Sequence, residues 1–89
     1  MRRAVLAVVH GRVQGVGFRW AAAQRASALG VGGWVRNRGD GAVEVFAQGD
    51  QVPVQTMLDW LAEGPRYAWV DQVEINEQPL DDHSGFRIR

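Results

Sequence analysis

An apolar run at residues 4–9 leads directly into Gly11-Arg12-Val13-Gln14-Gly15-Val16-Gly17-Phe18-Arg19, and an alanine-rich helical pattern follows at once. A segment this rich in glycine between a strand and a helix dictates a tight reversal, because glycine alone enters left-handed backbone conformations without steric cost. Gly15 and Gly17 allow consecutive N–H groups to point into one concavity, and the helix that follows adds its own unpaired N-terminal donors. Its dipole favours negative charge at that end. A cation there opposes the dipole, so Arg19 fits best with an anion between the two. The plainer alternative is a tight turn carrying a solvated arginine.

The remaining patterns follow from this junction. Residues 3–10 are β-branched and apolar enough for a buried strand. Residues 19–29 read as a helix, with Phe18, Ala22, Ala26 and Leu29 at helical spacing and Gly30 as a left-handed stop. Residues 33–38 and 42–48 flank Gly39-Asp40-Gly41 as an antiparallel hairpin, in which Val43, Val45 and Ala47 alternate with Glu44, Phe46 and Gln48. A second helix is marked by Val54, Met57, Leu58 and Leu61, with Asp50 as its cap, Pro53 in its first turn and Gly64-Pro65 at its end. Residues 68–78 form a fourth strand, and Phe86 and Ile88 a short edge strand that ties down the terminus. The order predicts an α/β chain of the α+β sandwich kind. This is a ferredoxin-like βαββαβ arrangement, with an antiparallel sheet of four to five strands and both helices on one face. Strands one and three should lie adjacent in the middle.

Composition narrows the chemistry. With 89 residues the expectation is one domain, 1–89, whose core buries roughly two thirds of the surface of the unfolded chain. Cysteine is absent, which excludes disulfides and thiolate catalysis, and all ten basic residues are arginines, which excludes a Schiff base and a P-loop lysine. His10 and His83 are too far apart for a histidine metal spacing, so neither metal nor cofactor is expected. No run is long enough to span a membrane, and the start lacks a signal-peptide pattern, so a cytoplasmic location and a monomer are expected. The net charge of zero conceals polarity. Residues 1–39 hold seven arginines and no acid, whereas residues 40–89 hold ten acids and three arginines. The glycine segment therefore lies in a positive stretch suited to a small anion or a nucleic acid.

The run from Gly11 to Arg19, followed by Gly33-Trp34-Val35-Arg36-Asn37 and Asp40-Gly41, closely resembles the two signature segments of the acylphosphatase family. Gly64-Pro65 with Ala68 and Val70, and the closing Phe86-Arg87-Ile88, extend the likeness over nearly the whole chain. The resemblance implies an acylphosphatase enzyme that hydrolyses acyl phosphates without metal to a carboxylate and inorganic phosphate. It places the family's catalytic arginine on Arg19, its catalytic asparagine on Asn37 and its phosphate loop on Gln14, Gly15, Val16, Gly17 and Phe18. Gly17 departs toward a more pliable turn than a bulky residue gives, and the resemblance is not extended to any role for the terminal Arg89.

The chemistry suits these residue types. An acyl phosphate leaves as a carboxylate, whose conjugate acid is comparable to Asp and Glu at roughly 4, so no general acid is needed. Arginine grips phosphate through a planar, permanently charged fork. Asparagine does not titrate usefully but can aim a water; alone, before an Arg-Gly-Asp-Gly turn, it reads rather as hairpin chemistry, and only its pairing with Arg19 inside the family pattern reverses that. Ser27, Thr56, Tyr67 and Ser84 lack a nearby His–Asp arrangement for nucleophilic attack. Trp34, Phe46, Trp60 and Trp69 read as packing residues, and His10 as structural or solvated. Two rivals remain. One is a single-stranded nucleic-acid binder using the same fold, opposed by the acid and lone aromatic in strand three. The other is a phosphate-binding module without turnover.

Overall fold

A computed structural model describes residues 1–82 and 84–89; His83 lies outside the described residues. The elements are β1 (Arg2–Arg12), α1 (Phe18–Leu29), β2 (Gly32–Asn37), β3 (Val43–Asp50), α2 (Gln51–Glu63), β4 (Trp69–Gln78) and β5 (Phe86–Ile88). They build one five-stranded sheet in the order β4-β1-β3-β2-β5, with β1 and β3 paired in its middle. The fold is ferredoxin-like.

One face of the sheet carries Val5, Ala7, Val9, Val35, Val43, Val45 and Ala47, all fully buried against both helices. From α1 come Phe18, Ala22 and Ala26, whose small alanines let the helix lie close to the strands. α2 contributes Val54, Met57, Leu58 and Leu61, the i, i+3, i+4, i+7 set expected. Gly30 ends α1 at φ 72°, donating to the carbonyls of Ala26 and Ser27. Asp50 stands at the N-cap of α2 but makes no side-chain capping bond. The Gln51 N–H instead donates to the Met1 carbonyl at 2.9 Å, so a main-chain acceptor takes over part of the cap's task.

Two expectations need correction. The sheet is mixed rather than antiparallel, because β5 runs parallel to β2 with Gly33, Trp34 and Val35 opposite Phe86, Arg87 and Ile88. Gln78, Ala4, Gln48 and Gly32 form one row across the sheet, so β4 finishes at the end where β2 starts. The chain then crosses to the far edge and enters β5 in the direction of β2. Gln48 holds that crossing in place: its amide donates to the Asp81 carbonyl at 2.6 Å and accepts from the Asp81 N–H at 2.8 Å. β3 is buried on both faces, Glu44, Phe46 and Gln48 included: Gln48 bonds the crossing, Phe46 lies against Trp34, and Glu44 pairs with Arg36. The second correction concerns Trp69, which is 71% exposed on the edge strand and packs into no core.

No helix among the described residues is long and apolar enough to cross a membrane.

Candidate active site

The loop between β1 and α1 is anchored at both ends. β1 shifts register between His10 and Gly11, and at Gly11 (φ 133°) a Cβ would stand 2.0 Å from the Trp69 carbonyl oxygen. Only glycine admits that approach. Val13 and Phe18 are then buried at 1% and 2% exposure, and Phe18 packs against Trp60 with ring centroids 5.8 Å apart. Between these anchors Gly15 and Gly17 adopt φ 75° and 78° with open space where a Cβ would stand. Their requirement is conformational rather than steric. Gly17 is the N-cap of α1, and with no capping side chain it leaves the helix N-terminus uncovered. The first intrahelical bond runs from the Ala21 N–H to the Gly17 carbonyl, so the amides before Ala21 in this helix point outward without a helical acceptor.

A hollow of about 240 Å³ opens at this place, lined by Val13, Gly15, Gly17, Phe18, Arg19, Trp20, Asn37 and Ile88. The fold thus brings Arg19 and Asn37 together across the gap between the first turn of α1 and the end of β2. The Arg19 guanidinium donates to the main-chain oxygen of Arg89 at 3.3 Å, and no Asp or Glu side chain pairs with it among the described residues. Residue 89 is itself fixed, its N–H on the Val35 carbonyl at 2.8 Å and its guanidinium 4.7 Å from the Trp34 ring centre. Asn37 is partly buried, and its carboxamide has no hydrogen-bond partner among the described residues. It is free to bond something that enters the hollow.

Gln14 and Val16 do not line the hollow. The Gln14 amide donates to the carbonyls of Arg38 at 2.7 Å and Ala42 at 2.9 Å, which makes its side chain a strut from the loop to the β2–β3 hairpin. The hairpin is tightened by Asp40, which accepts from the Ala42 N–H at 3.1 Å and pairs with Arg38 at 2.9 Å. These contacts hold the Asp40 carboxyl below its ordinary range, the Ala42 amide being the larger cause and Arg38 a smaller one. Trp20 and Ile88 join the lining without having been singled out for it in the sequence. The alternation of Phe86 and Ile88 announced a strand, but only the parallel pairing to β2 sets Ile88 opposite Val35 and beside α1.

A larger hollow of about 680 Å³, bounded by Trp34, Asp82, Arg87 and Arg89, shares Ile88 but has neither the loop amides nor Arg19. Size alone would favour it, but it offers an anion no main-chain cradle. The sheet face on which a nucleic-acid binder would stack bases is occupied. Phe46 is 8% exposed, Trp34 lies over it with centroids 6.2 Å apart, and Gln48 is bonded to Asp81. His10 lies on this same face, 3.2 Å from Glu74 and turned away from the helices.

The sequence model of the Acylphosphatase family matches residues 5–88. An acylphosphatase of Acidovorax sp. (strain JS42) is 49% identical over 91% of this chain and 84% of its own. One from Pseudomonas aeruginosa is 47% identical over 93% and 91%. Among solved structures, acylphosphatase from Bacillus subtilis superposes with a TM-score of 0.94 at 34% identity, covering 100% of this chain and 99% of that one.

Proposed function

The chain belongs to the acylphosphatase family and hydrolyses acyl phosphates, and from that premise we propose that Arg19 and the amides of the Gly15–Phe18 turn bind the phosphoryl group while Asn37 positions the attacking water. The observation that carries this reading is the shared hollow, in which Gly15, Gly17, Arg19 and Asn37 all present themselves to one small volume. Gln14 belongs to the phosphate loop through its main chain, since its side-chain amide is committed to Arg38 and Ala42.

The task for the protein is positioning and charge stabilisation rather than covalent chemistry. As the water oxygen bonds to phosphorus, the P–O bond to the acyl group breaks and its electron pair leaves with the carboxylate. That leaving group is stable as an anion, so no side chain need protonate it. Charge on the three phosphoryl oxygens is met by the outward amides at the start of α1 and by the Arg19 fork, both fixed before substrate arrives. The Asn37 carbonyl accepts one proton of the water and holds it in line. An amide cannot take that proton away, so it passes to a phosphoryl oxygen of the substrate itself.

Replacing Asn37 with alanine tests the division of labour. Hydrolysis of benzoyl phosphate in the presence of a chelator should fall by at least about a hundredfold, the scale of a lost positioning group, while inorganic phosphate still inhibits at its former concentration. Arg19→Ala should weaken both. An Asn37→Ala enzyme with most of its turnover would refute the role given to Asn37.

Residues 1–89 act, in the same proposal, as one monomeric unit in the cytoplasm. Sedimentation and cell fractionation test the two points.

A further inference from the structure

Resting on the reading of the hollow given above, the residues left over from phosphate binding point to a second task. Gly15, Gly17 and Arg19 face the phosphoryl group, and Asn37 faces the water. Val13 and Phe18 are buried beneath them. Two lining residues remain, Trp20 and Ile88, and both are apolar side chains that stay 64% and 48% exposed.

Neither exposure is explained by packing. Trp20 follows Arg19 on the first turn of α1, while the buried face of that helix is given by Phe18, Ala22 and Ala26. Ile88 sits on β5 opposite Val35, at the edge of the sheet nearest α1. Large apolar side chains at the mouth of a small polar site are the usual recognition element for the part of a ligand that does not react. The water held by Asn37 and the departing acyl group must lie on opposite sides of phosphorus, so the acyl group projects away from Asn37 toward the rim. The charge around it is equally specific: among the described residues Arg19 is the only ionic side chain lining the hollow. An acyl group bearing its own anion would meet no second cation there.

We infer that Trp20 and Ile88 form the acyl-side wall of the site, with the Trp20 indole stacking on the substrate, and that the enzyme therefore selects acyl phosphates whose acyl group is aromatic or bulky and apolar over acetyl phosphate. Trp20 is the specificity-determining residue of the pair, because an exposed indole face offers stacking area that an isoleucine does not.

The experiment measures kcat/KM for benzoyl phosphate and acetyl phosphate with the full chain, in chelator, and reads their ratio. Trp20→Ala should lower the benzoyl-to-acetyl ratio about tenfold, the effect of a single aromatic contact of about 1.4 kcal/mol. The loss should appear mainly in KM for benzoyl phosphate, and Trp20→Phe should restore most of it. Trp69→Ala, an equally exposed tryptophan on β4 away from the hollow, should leave the ratio where it was. An unchanged ratio in Trp20→Ala, or an equal fall in Trp69→Ala, overturns the inference. Arg19→Ala separates this from the underlying reading. If that variant keeps its turnover, the assignment of the site fails; if it loses turnover while Trp20→Ala keeps its ratio, only the acyl wall fails.

Discussion

Removing the Gln14 strut should loosen the site without emptying it. The side-chain amide donates two hydrogen bonds, at 2.7 Å to the Arg38 carbonyl and at 2.9 Å to the Ala42 carbonyl. Both acceptors keep another donor when it is gone, since the Gly41 N–H reaches Arg38 at 3.3 Å and the Arg38 N–H reaches Ala42 at 2.8 Å. Neither carbonyl becomes an orphan, so each lost bond counts at its net value of about 1 kcal/mol rather than at a full desolvation penalty. Gln14→Ala is thus expected to lose about 2 kcal/mol, which for a domain of this size lowers Tm by roughly 8–16 °C. Gln14→Glu should be worse. It has the same shape but sets carboxylate oxygens against two carbonyl oxygens, with no proton to share. Thermal melts followed by circular dichroism give the stabilities, and benzoyl phosphate turnover with phosphate inhibition gives the function. Because Asn37 adjoins Arg38, kcat should fall by one to two orders of magnitude, in line with a misplacement of about 1 Å. The phosphate inhibition constant, which the proposed mechanism assigns to the loop amides and Arg19, should move much less. A Gln14→Glu protein as stable and active as the parent would refute the strut.

Gly33→Ala should prevent folding or cost more than about 3 kcal/mol, because its Cβ would stand 1.8 Å from the Phe46 carbonyl oxygen at φ 136°. Gly39→Ala in the neighbouring hairpin has open space and no positive φ, so urea melts should place it within about 0.5 kcal/mol of the parent. The Asp40 carboxyl titrates below its ordinary value, chiefly through the Ala42 amide, so its contribution to stability is full above the unfolded value of about 3.9 and is lost as pH falls through the lower folded value. The stability gap between the parent and Asp40→Asn should accordingly close on acidification from pH 7 to the acid side of that window. A gap that widens on acidification would show the sign to be wrong.

Most of the fold was legible because its elements carry redundant local signals. The spacing of Val54, Met57, Leu58 and Leu61, the stop at Gly30 and the Gly39-Asp40-Gly41 turn each reappear in place. What escaped was non-local. Nothing in the residues around Phe86 says whether a last strand pairs parallel or antiparallel; that is decided by the row in which β4 ends and by the bonds between Gln48 and Asp81. The alternation in residues 43–48 does not tell that β3 is buried on both faces, with Gln48 bonded to Asp81 on the one turned away from the helices. Arg19 and Asn37 were legible as members of two sequence patterns, but their meeting in one hollow depends on the middle placement of β3 and on the Gln14 strut. Trp20 belongs to none of the quoted segments and Ile88 was read only as part of the closing strand, so their presence in the lining had no sequence signal.

The charge polarity of the sequence is transformed rather than preserved by folding, and the change explains how a neutral protein can offer an anion a positive site. Arg3 pairs with Glu77 at 2.7 Å, Arg36 with Glu44 at 2.6 Å and Arg38 with Asp40 at 2.9 Å, so acids from the second half neutralise arginines of the first. Arg19 pairs with no Asp or Glu side chain among the described residues. An Asp or Glu partner would occupy the same fork that phosphate needs in the proposed mechanism and would have to be displaced with loss of a charge-assisted bond. In the proposed mechanism phosphate binding is therefore a local property of one arginine fork without an acidic side-chain partner and a few main-chain amides. It needs no general positive field, so the long-range steering that strongly basic proteins exert on anions is not required of it.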